Sequence, residues 1–397
     1  MNSHGKAGTS AMDRIDGVAR WLAQEAPHRT VEELFVAFCR QLTLAGWPIW
    51  RASLGLEVLH PEVSGWQHVW TDEQLSVREA DRATAASSSS YLHSPTRIVD
   101  ETARPFRRRL DGHCSDMPLL EELRQAGATD YVMYPLPFLD LTRTAVISFA
   151  THEPGGFTPE EIDSLQIVSK LVGPYMERHV LRRIAIDLLD TYVGPRTGQR
   201  IIEGQVDRGA VDFIEAAIWF TDLRGFTHLS EQSPIPDVLA DLNGWFGIVG
   251  DVVEKHGGEL LKFIGDAVLA IFPTSAEQNS KAACASALAA AQEFCSRTEM
   301  ENELRRSAGA SPLMHSLSLH FGEVAYGNVG ASHRLDFTVI GPAVNRASRL
   351  LDLAKHLDRQ VIISQVFARE LERSLADLGH HHLRDIHDPQ QVFTLPE

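Results

Sequence analysis

Two apolar runs, each delivering an aspartate at a turn, constrain this chain more than any other feature. The first is Ala217-Ile-Trp-Phe-Thr-Asp222-Leu-Arg-Gly-Phe-Thr227 and the second is Leu261-Lys262-Phe-Ile-Gly-Asp266-Ala-Val-Leu-Ala-Ile-Phe272. Short apolar runs bounded by Gly and Asp read as strands. The first strand passes through Thr221-Asp222 into a glycine-bearing turn, with a helix expected from about Phe226. In the second, Glu259 to Phe272 reads as a hairpin with Gly265-Asp266 in its turn. Either aspartate alone is ordinary turn chemistry. As a pair of strand-end carboxylates they suit hard divalent cations, which take one or two carboxylates plus phosphate oxygens.

Three further segments belong with them. Val238, Leu242, Trp245, Phe246, Val249, Val252 and Val253 form one helical face, stopped by Gly257-Gly258. In Leu335-Asp-Phe-Thr338-Val-Ile-Gly-Pro-Ala-Val-Asn345-Arg-Ala-Ser-Arg349, an amide and a guanidinium stand at i and i+4 on one helix face, with Pro342 at the helix start. Leu383-Arg384-Asp385-Ile386 precedes a final strand from Gln391 to Leu395.

Together these residues resemble the catalytic domain of class III adenylate and guanylate cyclases, over about residues 190–397. The resemblance implies an α/β (α+β) domain, ferredoxin-like, with a mostly antiparallel sheet and helices on one face. It implies that Asp222 and Asp266, with Leu223 between strand and turn, hold Mg²⁺ or Mn²⁺, two per site. Gly225 and Phe226 would present backbone N–H groups to a triphosphate. Lys262 would hold the adenine ring by donating a hydrogen bond to it, with Thr338 as its partner; a glutamate in place of the lysine would favour guanine. Asn345 would orient the ribose, and Arg349 would meet the charge that builds on the α-phosphate. Arg384 is a candidate phosphate contact. The family works as a head-to-tail dimer, and one chain carrying both residue sets implies a homodimer with two equal sites. The implied reaction converts ATP to 3′,5′-cyclic AMP and pyrophosphate, with Asp222 or a water taking the proton. The alternatives are a guanylate cyclase, or a degenerate module that binds nucleotide and signals through its shape. Gly257-Gly258-Glu259-Leu260 is similar to the signature of diguanylate cyclases, but there the signature forms the hairpin turn, and here that turn is Gly265-Asp266.

Four parts are expected: a segment 1–30, a GAF-like sensory domain 31–158, a helical linker 159–198 and the catalytic domain 199–397. The helix–strand–strand–helix order of 31–177 suits a GAF- or PAS-like α+β domain, and GAF is favoured. Thr158 is an N-cap candidate, with Pro159 at the first helical position. The helix from about 159 to 191 carries one stripe of Leu165, Val168, Val172, Tyr175 and His179, and a second of Met176, Val180, Ile184 and Leu188. It reads either as a coiled coil joining paired chains or as a buried helix of the first domain, with Pro174 a kink or a break. Ser87–Ser90 reads as a loop. Trp47, Trp50, Trp66 and Trp70 are read as core residues, with a ligand pocket as the lesser alternative.

The net charge of −16 argues against nucleic acid as a partner, because phosphate contacts need a basic field. No apolar run approaches a membrane helix and the start lacks a signal-peptide core, so a cytoplasmic protein with no membrane partner is expected. Cys39, Cys114, Cys284 and Cys295 have no metal-ligand spacing. His380-His381-His382 cannot all ligate one ion from a strand, because successive side chains face opposite ways. His60, His68, His93 and His113 have no spacing that fixes a metal or haem. The ligand or partner of the first domain is unknown at this level.

Overall fold

The computed structural model describes residues 10–58, 63–112, 116–136, 138, 145–276 and 278–396. His60, His113 and Cys114 lie outside them. The chain divides into two compact units, Met1–Thr191 and Tyr192–Glu397.

The first unit runs α1 (Ala11–Glu25), α2 (Val31–Leu44), β1 (Arg51–Glu57), β2 (Val63–Thr71), β3 (Gln74–Asp81), α3 (Ser89–Leu92), α4 (Pro95–Thr102), β4 (Phe106–Arg109), α5 (Pro118–Gln125), β5 (Asp130–Leu136), β6 (Ala145–Thr151) and α6 (Pro159–Val193). Both opening helices start at capping boxes, Ser10 with Asp13 and Thr30 with Glu33. The six strands form one sheet in the order β3-β2-β1-β6-β5-β4. Pairing between sheet neighbours is antiparallel throughout. One face packs on α1, α2 and α6, the other on α4 and α5.

Trp47 and Trp70 are buried in the first of these cores, Trp66 packs against it, and Trp50 packs against the second. The tryptophans are therefore packing residues. Ser88 caps α3 through a bond from the Tyr91 N–H, so Ser87–Ser90 is a capped turn into a helix and not a loop.

Thr158 caps α6 reciprocally with Glu161: each backbone N–H donates to the other's side chain, at 3.2 and 2.8 Å. The helix continues through Pro174. Leu165, Val168, Val172, Met176, Val180 and Ile184 all lie in the first unit's core. Most of both stripes thus serves the buried-helix reading. Leu188, from the second stripe, faces outward (36% exposed) with Ile167 (43%) and Leu181 (45%).

The second unit runs α7 (Pro195–Ile202), β7 (Val211–Leu223), α8 (Phe226–Gln232), α9 (Ile235–Lys255), β8 (Glu259–Ile264), β9 (Ala267–Pro273), α10 (Ser280–Ser307), β10 (His315–Ala331), β11 (Arg334–Ile340), α11 (Pro342–His356), β12 (Val361–Ser364), α12 (Gln365–Arg369), β13 (Ala376–His381) and β14 (Gln390–Thr394). Its sheet has the order β13-β14-β12-β10-β7-β9-β8, with β11 pairing β10. Only the β10–β12 pairing is parallel among these.

The expectation of helices on one face is corrected here. Ala217 and Trp219 pack against α9, α10 and α12, while Ala216, Ile218 and Phe220 pack against α11. Every residue from Ala216 to Leu223 is buried. A strand apolar on both sides needs cover on both sides. This puts α11, which carries Asn345 and Arg349, over the sheet face opposite the main helical layer.

Candidate active site

Asp222 is the penultimate residue of β7, opposite Ser316 of β10 in the antiparallel register. The alternation of β7 turns it to the face covered by α11, and it is only 7% exposed. Its Oδ2 accepts from the Nζ of Lys355, in the last turn of α11. Its Oδ1 is buried with no protein partner. Burial pushes the carboxyl above the ordinary aspartate range. The Lys355 ammonium pulls it back, and the charges of Asp266 and Asp352 push it up again. Asp266, half-buried in the two-residue turn between β8 and β9, is thus close enough for its charge to act on Asp222.

The turn after Asp222 is braced. Arg224 donates from Nε to Ser316 Oγ at 2.7 Å, from Nη1 to Asp358 and from Nη2 to the carbonyl of Arg359. One side chain therefore ties the β7 turn to β10 and to the loop that follows α11. Gly225 takes φ of +70°, a conformation that favours glycine, and passes the chain into α8 at Phe226. Leu223 is buried against the α9–α10 side.

Lys262 and β11 make a second cluster. The ammonium is ion-paired with Asp336, and the pair is partly exposed. Thr338 lies two positions further along the same face of β11 and is half-buried. The expected partner of the lysine is Thr338; within one chain the direct contact is with Asp336.

Asn345 and Arg349 follow on α11, Asn345 exposed and Arg349 half-buried. The Arg349 guanidinium lies 3.6 Å from Asp352 and 3.4 Å from Asp385. Arg384 is largely exposed, 3.4 Å from the same Asp385. Asn345 and Arg349 thus share a helix with Lys355, and acidic side chains hold the arginine within its own chain.

Three charged residues escaped the sequence reading. Arg224 sat inside the quoted motif, unassigned. Asp336 has the same strand parity as Thr338. Lys355 continues the helix spacing of Asn345 and Arg349 only loosely, and nothing in the sequence joins it to Asp222. A buried carboxylate was missed as well. Glu259 at the start of β8 accepts from Tyr326 at 2.8 and 2.9 Å and from Thr197 of α7 at 3.1 Å.

The donors suit a hard cation. Asp222 has a vacant buried oxygen, a second carboxylate acts on it, and a lysine ammonium already sits against it. Two carboxylates with a neighbouring backbone carbonyl are an oxygen set for Mg²⁺ or Mn²⁺. Among the described residues there is no group of three or more His, Cys, Asp or Glu placed to hold a metal. The remaining ligands would come from phosphate and water. Among the described residues no helix is long and apolar enough to cross a membrane.

Residues 210–391 match the family model described as the adenylate and guanylate cyclase catalytic domain. An uncharacterized protein of Mycobacterium tuberculosis is 34% identical over 245 residues, 60% of this chain and 41% of the relative. Adenylate cyclase 1 of Rhizobium meliloti is 34% identical over 152 residues, 38% of this chain and 22% of the relative. The crystal structure of the adenylyl cyclase CyaB from P. aeruginosa is 25% identical, with a TM-score of 0.44, covering 47% of this chain and 96% of that one. The chain spans 40–41% of the length of the first curated relatives it matches.

Proposed function

Residues 210–391 belong to the class III adenylate and guanylate cyclase family, and on that premise we propose that the chain converts ATP to 3′,5′-cyclic AMP and pyrophosphate in a homodimer. The observation that carries the adenylate reading is the position of Lys262, whose ammonium reaches the face of β11 that carries Thr338. An ammonium donor beside a hydroxyl suits the acceptor nitrogens of adenine. A pocket built to pair those groups rejects a base that leaves them unmatched. Relatives named as adenylate cyclases agree with it.

In this reading Asp222, Asp266 and the carbonyl of Leu223 hold Mg²⁺ or Mn²⁺, two per site. When bound, such cations supply neutralisation of the triphosphate and acidity at the ribose 3′-hydroxyl. The chain's own residues do the rest. Gly225 and Phe226 offer backbone donors to the phosphates. Asn345 orients the ribose so that its 3′-oxygen lies in line with the α-phosphorus. Arg349 meets the charge that develops on the α-phosphate, and Arg384 would contact the leaving phosphates. A bond forms from O3′ to the α-phosphorus, the bond from that phosphorus to the bridging oxygen breaks, and pyrophosphate leaves. The proton of the 3′-hydroxyl passes to Asp222 or to water.

The dimer follows from the division of labour. One subunit supplies Asp222 and Asp266, and the other supplies Lys262, Thr338, Asn345 and Arg349. The outward stripe of α6, with Ile167, Leu181 and Leu188 separated by multiples of seven, is the pattern of a helix that pairs with its own copy. The first unit, a six-stranded antiparallel sheet between helices, is read as a GAF-like sensor that regulates the second.

The test is a direct assay of the purified chain with ATP or GTP, each with Mg²⁺ and with Mn²⁺. Cyclic AMP from ATP, with little cyclic GMP from GTP, is expected. Equal turnover of GTP would overturn the base assignment, and no product under any condition would overturn the enzymatic one.

A further inference from the structure

The contact between Lys355 and Asp222 joins the last turn of α11 to the end of β7, within one chain. The lysine was not placed in the machinery above, yet its ammonium touches the carboxylate assigned there to a divalent cation. Asp222 is almost wholly buried, while the Lys355 side chain is 42% exposed.

A buried carboxylate with no cation beside it is costly. Here the charges of Asp266 and Asp352 bear on the same group, so its need for positive charge is greater. The last turn of a helix also favours a cation. Lys355 satisfies only Oδ2; Oδ1 stays buried and unpartnered. A permanent structural ion pair would leave that atom unexplained, whereas a position made for a divalent, oxygen-seeking cation that takes several oxygen ligands does not. The two partners differ in how they can move. Asp222 is fixed in the sheet, but a half-exposed lysine stem swings its head into water at small cost.

We propose that Lys355 is a tethered stand-in for the catalytic cation: its ammonium balances Asp222 while the metal is absent and is displaced when a divalent cation takes the carboxylate. The inference rests on the reading of Asp222 as a metal ligand. It makes Lys355 a positioning residue that sets the metal affinity of the site and keeps the site folded when empty.

Binding of Mn²⁺ to the full chain, read from loss of the free-ion electron paramagnetic resonance signal at pH 8 without nucleotide, tests it. Lys355→Met is expected to bind Mn²⁺ about three- to tenfold more tightly than the unmodified chain, the effect of removing one competing ion pair whose lysine is half-exposed. Lys355→Arg keeps the competing charge and should bind no more tightly than the unmodified chain. Unchanged or weaker binding by Lys355→Met overturns the proposal. Asp222→Asn separates the two readings. If it binds Mn²⁺ normally, the metal assignment itself fails; if it loses Mn²⁺ while Lys355→Met matches the unmodified chain, only the stand-in role fails. A melting measurement gives a second readout that does not need metal-free material. The rise in melting temperature from excess EDTA to saturating Mn²⁺ should be larger for Lys355→Met and Lys355→Gln than for the unmodified chain, and equal rises overturn the proposal.

Discussion

Lys262 on β8 is ion-paired with Asp336 on β11, two positions before Thr338 on the same face of that strand. The carboxylate therefore aims the ammonium along the edge where Thr338, the residue proposed to read the base, sits. Both partners are substantially exposed, and such a pair contributes about 1 kcal/mol or less to stability. Its value would lie in aim. Asp336→Asn should leave the melting behaviour nearly unchanged while lowering kcat/KM for ATP about tenfold, the loss of one charge-assisted hydrogen bond. A melting shift of several degrees with unaltered ATP kinetics would make the pair structural.

Asp222 and Asp266 are expected to be indispensable for turnover and dispensable for folding. Asp266 sits half-buried in the turn between β8 and β9, outside either strand, so Asp266→Ala should fold as the parent does. Asp222→Ala removes a buried carboxyl already pushed towards its neutral form and leaves behind a lysine that can turn to solvent. Circular dichroism of both variants should match the parent while cyclic nucleotide formation falls at least a thousandfold, the scale of losing a principal charge-stabilising group. An active, well-folded Asp266→Ala protein would sink the metal assignment.

His315 and His320 lie buried in the second unit, and burial holds both well below the ordinary histidine value, to about 4. The charge of Arg224 adds to the effect at His315, and that of Arg346 at His320. From an unfolded value near 6.5 down to about 4, the unfolded chain binds protons that the folded chain refuses. Stability is thus full above the unfolded value and falls as pH drops through that window, by about 1.4 kcal/mol per pH unit for each histidine. Urea unfolding of the full chain between pH 7 and 5 should show this slope, and His320→Gln should reduce it by roughly one histidine's share. Identical slopes in the parent and the variant would remove His320 from the account.

The parts of the site that local pattern determines were legible in the sequence. Asp222 and Asp266 follow apolar strands into glycine turns, and Asn345 and Arg349 share a face because a helix repeats every three to four residues. What escaped depends on register and on contacts between distant segments. Strand parity could not choose between Asp336 and Thr338, since alternation places both on one face. Lys355 meets Asp222 because α11 crosses the second face of the sheet, and the sequence hinted at that cover through the unbroken apolar run from Ala216 to Phe220. On α6 the ambiguity had another cause. A 35-residue helix with apolar residues on two sides satisfies a core and a partner alike. Tertiary packing sent Leu165, Val168, Val172, Met176 and Ile184 inward and left Ile167, Leu181 and Leu188 outside.

Arg349 provides the sharpest test of the shared site. Within its own chain its guanidinium is held near Asp352 and Asp385, while Asp222 is already matched by Lys355. In the proposed head-to-tail pair this arginine serves the partner's aspartates and not those of its own chain. Asp222→Ala and Arg349→Ala homodimers should each be inactive. A mixture that exchanges subunits contains heterodimers in which one site has lost both residues and the other is intact. Random exchange makes half of all dimers heterodimeric, with one working site of two, so activity should return to about a quarter of the parent's. Lys262→Ala mixed with Asn345→Ala should recover nothing, since both residues come from the same subunit and every site lacks one of them. Recovery in the second mixture, or none in the first, would rule out this arrangement.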